Sequence, residues 1–350
     1  MTNSHGRFRS FIFAALLCCS LWPTSFAQNA SKPTLDQSIY RHVVQVGWVV
    51  KDLDKVIAYW QRLGLKNIRR VGTVEFPDTT YRGRKSPIAV RRAYTVIGGV
   101  EVNWTQPLRG NSAFDEFLKA HGDGVHHLTY ATHSAEQLQR AVDGFKAKGV
   151  AVVQEGTWKG SQATGRYVYL DTAPRGGGLT IELMYNPDAA AGGPAASAEN
   201  DYPFNRIVQY AFVVRDVKKV SEYFERLGFG GLSIERNVSV DKTYRGRAGQ
   251  FEMDLGWNKF GDVPFEWIQS IKGPSVYDEF LKAHGEGFHH LAFNVKDMDE
   301  AIAALKARGA VVSMGGGWDY PNSQGRFAYL DTEPFGGVTI ELLWNKPQGK

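Results

Sequence analysis

"HGDGVHHLTY", beginning at His121, and "HGEGFHHLAF", beginning at His284, each contain two adjacent histidines. Neighbouring side chains on a β-strand point to opposite faces, so alternation assigns the two rings of each pair to different surroundings. His126 falls in step with Leu128 and Tyr130, and His289 with Leu291, Phe293 and Val295. That bulky face belongs beneath a helix, which gives His126 and His289 a structural role and leaves His127 and His290 on the open, concave side. The same sorting turns Glu182 inward on "LTIELM" and Glu341 inward on "VTIELL". Gln45 and Gln209 face inward on two opening strands, as do Asn103, with Glu101 and Thr105 beside it, and Glu266. One imidazole converging with carboxylates and amides on a cup is the donor composition of a divalent metal site.

The elements that position these residues come in repeats. "VNWTQPLRGNSAFDEFLKAHGDGVHHL" (Val102 to Leu128) aligns without a gap to "FEWIQSIKGPSVYDEFLKAHGEGFHHL" (Phe265 to Leu291), an internal duplication. Each half divides again. An apolar strand such as "VVQVGWVV" precedes a helix in which Leu53, Val56, Ile57, Trp60 and Leu63 recur at helical spacing and Gly64 stops the run. "HHLTYAT" followed by "SAEQLQRAVDGFKAKGV" repeats the plan, with Leu138, Ala141, Val142 and Phe145 on one face, and the second half adds two more copies. Each helix is followed by chain enough for about three strands. The expected fold is α+β, with four βαβββ modules paired into two cupped mixed sheets covered by helices.

Residues 1–27 read as an export signal: Arg7 and Arg9 precede an apolar core too short to span a bilayer, and Ser25 and Ala27 suit a cut after Ala27. Both cysteines, Cys18 and Cys19, fall inside it, so the mature chain is expected to have no disulfide, thiol nucleophile or cysteine-based zinc site. The expected location is the periplasm or the exterior. The halves are expected at 38–187 and 201–347, joined by a small, polar linker at 188–200. A net charge of +5 with no basic run gives no sign of nucleic acid, and no further apolar segment points to a membrane.

These strands, together with "KDLDK" or "RDVKK" after the first strand of each half, "GxHHL", and "IEL" before the end, resemble the vicinal oxygen chelate superfamily. That superfamily includes glyoxalase I, methylmalonyl-CoA epimerase, extradiol dioxygenases and the bleomycin resistance proteins. The resemblance covers nearly the whole mature chain. It implies metal positions on the first, fourth, fifth and eighth strands of each pair of modules, which fall here on Gln45, Asn103, His127 and Glu182, and on Gln209, Glu266, His290 and Glu341. The second set looks like that of glyoxalase I. The first departs from it, because Asn103 is neutral and short, and this implies weak metal binding or none. The resemblance also allows sites between the halves, with Gln45 and Asn103 joining His290 and Glu341, and Gln209 and Glu266 joining His127 and Glu182.

Such a site would hold Zn, Ni, Co or Mn and chelate vicinal oxygens while a metal-bound carboxylate, Glu341 or Glu182 with Glu266 as second candidate, removes a proton α to a carbonyl. The implied activity is that of an isomerase, epimerase or lyase acting on a small oxygenated substrate. Two alternatives stand beside it. An iron or manganese dioxygenase would need a second histidine where each half has Gln, and a ligand-sequestering binding protein would need no metal. "YRGR" occurs twice and reads either as a basic turn or as a clamp for an anionic substrate group, through Tyr81, Arg82 and Arg84, and Tyr244, Arg245 and Arg247. His121 and His284 end their helices before glycine and are expected to cap them. The chain is expected as a monomer or homodimer.

Overall fold

A computed structural model describes residues 35–161, 163–189, 200–321 and 323–346. The expected export signal and most of the expected linker therefore lie outside the described residues. The first half opens with β1 (Gln45–Val49), helix α1 (Leu53–Leu63) and β2 (Arg69–Phe76). A hairpin follows, β3 (Thr80–Tyr81) and β4 (Arg84–Lys85), and then β5 (Ile88–Ile97) and β6 (Val100–Arg109). Helix α2 (Ala113–His121) leads to β7 (Gly124–Ala131), helix α3 (Ala135–Ala147), β8 (Val152–Lys159), β9 (Thr164–Leu170) and β10 (Thr180–Tyr185).

The second half repeats this order. It begins with β11 (Gln209–Val214), α4 (Val217–Leu227), β12 (Ser233–Asn237), β13 (Val240–Tyr244), β14 (Arg247–Ala248), β15 (Glu252–Asn258) and β16 (Phe265–Lys272). It continues through α5 (Val276–His284), β17 (Gly287–Asn294), α6 (Met298–Ala307), β18 (Val312–Tyr320), β19 (Ser323–Leu330) and β20 (Thr339–Asn345).

Each half is one curled ten-stranded mixed sheet, in the order β2-β5-β6-β1-β7-β10-β9-β8-β3-β4 and its counterpart. The fold is α+β, as the repeats predict. The added feature is the hairpin β3–β4, which leaves the first module and pairs through β3 with β8 of the second. Its "RG" turn is why: Arg82 (φ 46°) and Gly83 (φ 74°) both take left-handed backbone, the geometry of a two-residue hairpin turn. "YRGR" is thus a tight turn in both halves, since Arg245 and Gly246 do the same.

Helices form where capping and periodicity agree. Asp52 accepts a hydrogen bond from the Lys55 amide at 3.0 Å to start α1, and Gly64 ends it with its N–H on the Trp60 and Gln61 carbonyls. Ser134, Asp216 and Asp297 start α3, α4 and α6 in the same way. The apolar stripes of α1 and α3 pack on Val46, Trp48, Val102, Trp104, Leu128, Tyr130, Ile181 and Leu183, the outer face of the first sheet.

The halves are joined by reciprocal contacts. Trp48 and Trp60 donate to the Gly336 and Phe335 carbonyls, and Trp267 donates to the Gly176 carbonyl. At Gly337 (φ 75°) an added Cβ would lie 1.7 Å from the Asp123 carbonyl oxygen, so only glycine permits this approach. His121 and His284 cap helices, but crosswise: each Nδ1 lies 2.6 or 2.5 Å from the other's backbone carbonyl. Only an N–H can donate to a carbonyl, which fixes the proton on Nδ1. His284 also reaches Glu333 through Nε2 at 2.6 Å, and that hydrogen bond raises its pKa above the usual histidine value. A raised folded-state pKa stabilises the fold below pH about 6.5, and the gain is lost as pH rises through the folded value. Glu333→Gln should therefore lower the thermal midpoint at pH 5.5 more than at pH 9; the pair is half-exposed, so the difference corresponds to less than about 1 kcal/mol in urea melts.

Candidate metal centre

The cups form within each half. β1 pairs with β6 on one side and β7 on the other, and β10 lies beyond β7, so Gln45, Asn103, His127 and Glu182 share one concave surface. The same pairings collect Gln209, Glu266, His290 and Glu341 in the second half. All eight side chains are buried.

Alternation fails at one point, and the failure matters. The register between β1 and β7 shifts at Gly47 and Trp48, which face His127 and Val125, so His126 is the extra residue of a β-bulge. Beyond the bulge the faces exchange: Val125 joins the outer core while His126 stands on the cup side, its ring against Phe114, Phe117 and Tyr169. The expected placement of His126 with Leu128 and Tyr130 is thereby corrected. β17 has the same shift between Ala211 and Phe212, which puts His289 against Tyr277, Phe280 and Tyr329 rather than beneath the helix with Leu291 and Phe293. Both rings of each pair therefore touch: Nδ1 of His126 lies 2.8 Å from Nδ1 of His127, and the second pair is 2.9 Å apart. Burial, reinforced by the neighbouring ring, holds His126 and His289 far below the usual histidine pKa, so they stay neutral beside His127 and His290.

In the second cup, Gln209 Nε2 donates to Glu266 Oε2 at 2.7 Å and lies 3.3 Å from His290 Nε2. His290 Nε2 is 3.2 Å from Glu341 Oε2 and 3.7 Å from Glu266 Oε2. The 3.2 Å approach is not a hydrogen bond, because its direction misses the ring N–H, and Glu341 Oε2 is buried without any hydrogen-bond partner. Burial, and then the charge of Glu341, push Glu266 well above the ordinary carboxylate pKa. An orphaned carboxylate oxygen beside an imidazole nitrogen and a second carboxylate is a donor set that fits a divalent cation. Among the described residues no group of three or more His, Cys, Asp or Glu is preassembled around a point, so uptake would require these side chains to adjust.

The first cup differs. Thr129 donates to Glu182 Oε2, which also lies 3.2 Å from His127 Nε2, and Gln45 donates to Glu101 Oε1 at 2.5 Å. Asn103 donates to Gln45 Oε1 at 3.4 Å and accepts from the Thr105 hydroxyl at 3.3 Å, both long contacts. Its carboxylates are thus already hydrogen-bonded, and the orphan is His127 Nε2. Thr129 was not foreseen; its counterpart on the aligned repeat is Ala292, and that difference is the signal that marks it.

The first arginine of each "YRGR" is tied to a helix, while Tyr81 and Tyr244 pack on the aromatic clusters of Tyr169 and Tyr329. Arg82 binds Glu116 of α2 through two nitrogens, with Tyr81 on the same carboxylate, while Arg245 spans Glu279 and Asp331, with Tyr244 on Glu279. Arg84 and Arg247 are exposed on the hairpins. These contacts pin the hairpins to α2 and α5. A cavity of about 450 Å³ between the halves reaches Arg82, His121, His126, Tyr169, Arg215 and His284, and so touches the back of the first histidine pair without opening the cup.

The model of the glyoxalase/bleomycin resistance protein/dioxygenase superfamily matches residues 44–170 and again 208–329, and the chain belongs to that superfamily. Over nearly its whole length the chain resembles the structure of a triple mutant of 4-hydroxymandelate synthase from Streptomyces coelicolor. The two are 14% identical, with a TM-score of 0.55 over 89% of this chain and 94% of that one. A catechol 2,3-dioxygenase aligns at 12% identity and a TM-score of 0.46 over 88% of this chain and 90% of that one.

Gly47 provides a direct check on the first cup. An added Cβ there would sit 1.9 Å from His127 Nε2, whereas β11 already carries Ala211 opposite His290. Gly47→Ala should displace the His127 ring and disturb the Nδ1 contact, read as a shift of the His126 and His127 imidazole resonances in NMR with the His289 and His290 signals unmoved.

Proposed function

We propose that the second cup is the working site, in which Gln209, Glu266, His290 and Glu341 hold a divalent cation of the Zn, Ni, Co or Mn class. The observation that carries this reading is the buried, unpartnered Oε2 of Glu341 at 3.2 Å from His290 Nε2. An uncompensated carboxylate oxygen in such a place is costly, and a cation removes the cost. When bound, such an ion supplies Lewis-acid polarisation to neighbouring oxygens of a substrate.

The protein's own groups then move a proton α to a carbonyl, making the chain an isomerase, epimerase or lyase. Glu341 is the proton acceptor and Glu266 the second candidate for that role; in the empty cup burial and the charge of Glu341 raise the proton affinity of Glu266, which gives up its proton on ligation. Glu182 would serve as acceptor in the first cup. Tyr277 and Tyr329, buried and linked by a 2.8 Å hydrogen bond, lie against the histidine pair and help exclude water from it. Substrate is a small oxygenated molecule. Export to the periplasm through residues 1–27 belongs to the same proposal; among the described residues no helix is long and apolar enough to cross a membrane.

A ring-cleaving dioxygenase is the second reading. Dioxygenases form part of the superfamily this chain belongs to. The cup chemistry speaks for the first reading, because the iron triad of two His and one carboxylate finds Gln209 where the second imidazole would stand.

The test is calorimetric titration of chelator-stripped protein with Mn²⁺ in buffers of differing ionisation enthalpy. Glu266 must lose its proton to ligate, so one ion per chain should bind with proton release and with affinity that rises with pH. Glu266→Gln should abolish the release and weaken binding about 10- to 100-fold. Binding without proton release, or unchanged in Glu266→Gln, would contradict the assignment.

A further inference from the structure

The two cups diverge most sharply at a residue that no metal role explains. Arg92 on β5 faces Thr105 on β6, in the row next to Tyr94 and Asn103. The aligned position in the second half is Leu255, facing Ile268. The first cup therefore contains a fixed guanidinium where the second has a leucine.

That guanidinium is poorly satisfied. Nε of Arg92 is buried and has no hydrogen-bond partner, and Nη1 reaches only the Tyr94 hydroxyl, at 3.3 Å. Among the described residues no carboxylate lies within ion-pair distance of it, although the neighbouring Arg91 pairs with Asp54 at 2.9 Å. Glu101 and Glu182, the carboxylates of this cup, are engaged by Gln45 and Thr129. Arg92 instead lies over the Phe76 ring, 4.7 Å from its centroid. Arg92 is only half-buried as a residue, but a desolvated guanidinium N–H without an acceptor is costly, and a ligand carboxylate would supply one. Beside it, Asn103 holds only long contacts, to Gln45 at 3.4 Å and from Thr105 at 3.3 Å, and His127 Nε2 is buried without a hydrogen-bond partner. Phe76, Tyr167 and Tyr169 form one buried aromatic cluster around this region, with Phe76 and Tyr167 edge-to-face at 6.0 Å.

We propose that the first cup is a binding site for a small planar carboxylate, such as an aromatic acid. Its carboxylate pairs with the Arg92 fork, its ring packs on the aromatic cluster, and no divalent metal takes part. A planar guanidinium matches a carboxylate through two parallel hydrogen bonds, which an ammonium cannot do. The proposal stands independently of the cation in the second cup.

Benzoate titrated calorimetrically into the chelator-treated full chain tests it, with benzyl alcohol as the uncharged control. One benzoate per chain should bind and benzyl alcohol should not. Arg92→Leu, which installs the second half's own residue, should weaken benzoate about thirtyfold or more, and Arg92→Lys should restore only part of that loss. The same Arg92→Leu variant should melt at a higher temperature than wild type when no ligand is present, because it removes a guanidinium whose Nε is buried without a partner; this also reports that the variant is folded. His290→Ala should leave benzoate binding unchanged. Absence of benzoate binding in wild type, equal binding in Arg92→Leu, or loss in His290→Ala instead would overturn the proposal.

Discussion

Two carboxylates, Glu266 and Glu341, share a buried cup with a single imidazole and one amide. Like charges taken out of water repel and lose solvation together, so that arrangement needs either a proton or a cation between them. The rest of the second half answers this constraint. The parallel pairing of β11 with β16 and of β17 with β20 sets Glu266 and Glu341 on either side of His290, and the bulge in β17 braces the imidazole with a second, neutral ring. The helices contribute from outside, by making the opposite face of the sheet apolar and leaving the concave face to the donors.

The first half shows the same frame with the constraint relaxed. Asn103 replaces a carboxylate, Thr129 supplies a hydroxyl to Glu182, and Arg92 brings a fixed positive charge. Duplication thus preserved topology, capping and the histidine bulge while the cup chemistry drifted apart. That division is physically natural: the outer apolar faces and the crosswise contacts at Trp48, Trp267, His121 and His284 hold the halves together, whereas a cup residue is free to change once its neighbours no longer share a cation.

Much of this was legible in the residues. Helical spacing and caps placed α1 and α3 on their packed faces, and period-two alternation set Gln45, Asn103, His127, Glu182 and their counterparts on one buried concave face, because each lies on the regular side of any bulge in its strand. Alternation failed at Val125 and His126 because a bulge inserts one residue, and nothing in "DGVHHL" distinguishes a bulge from a regular strand. Whether the cups form within or between halves could not be read from the repeats, since the identical modules permit either pairing; the register of β1 on β7 decides it. "YRGR" allowed a turn or a clamp, and the left-handed backbone at Arg82 and Gly83, with Glu116 within reach, makes it a turn tied to a helix. Arg92 is invisible to donor chemistry, because a guanidinium cannot ligate a metal ion; only its alignment with Leu255 marks it.

The central claim is that one cation belongs to the second cup. Elemental analysis of protein purified without chelator, as wild type, His290→Ala and His127→Ala, tests it most directly. About one divalent ion per chain in wild type and in His127→Ala, and none in His290→Ala, is the predicted result. A wild type that stays metal-free after reconstitution, or an ion lost with His127 and kept without His290, would contradict it.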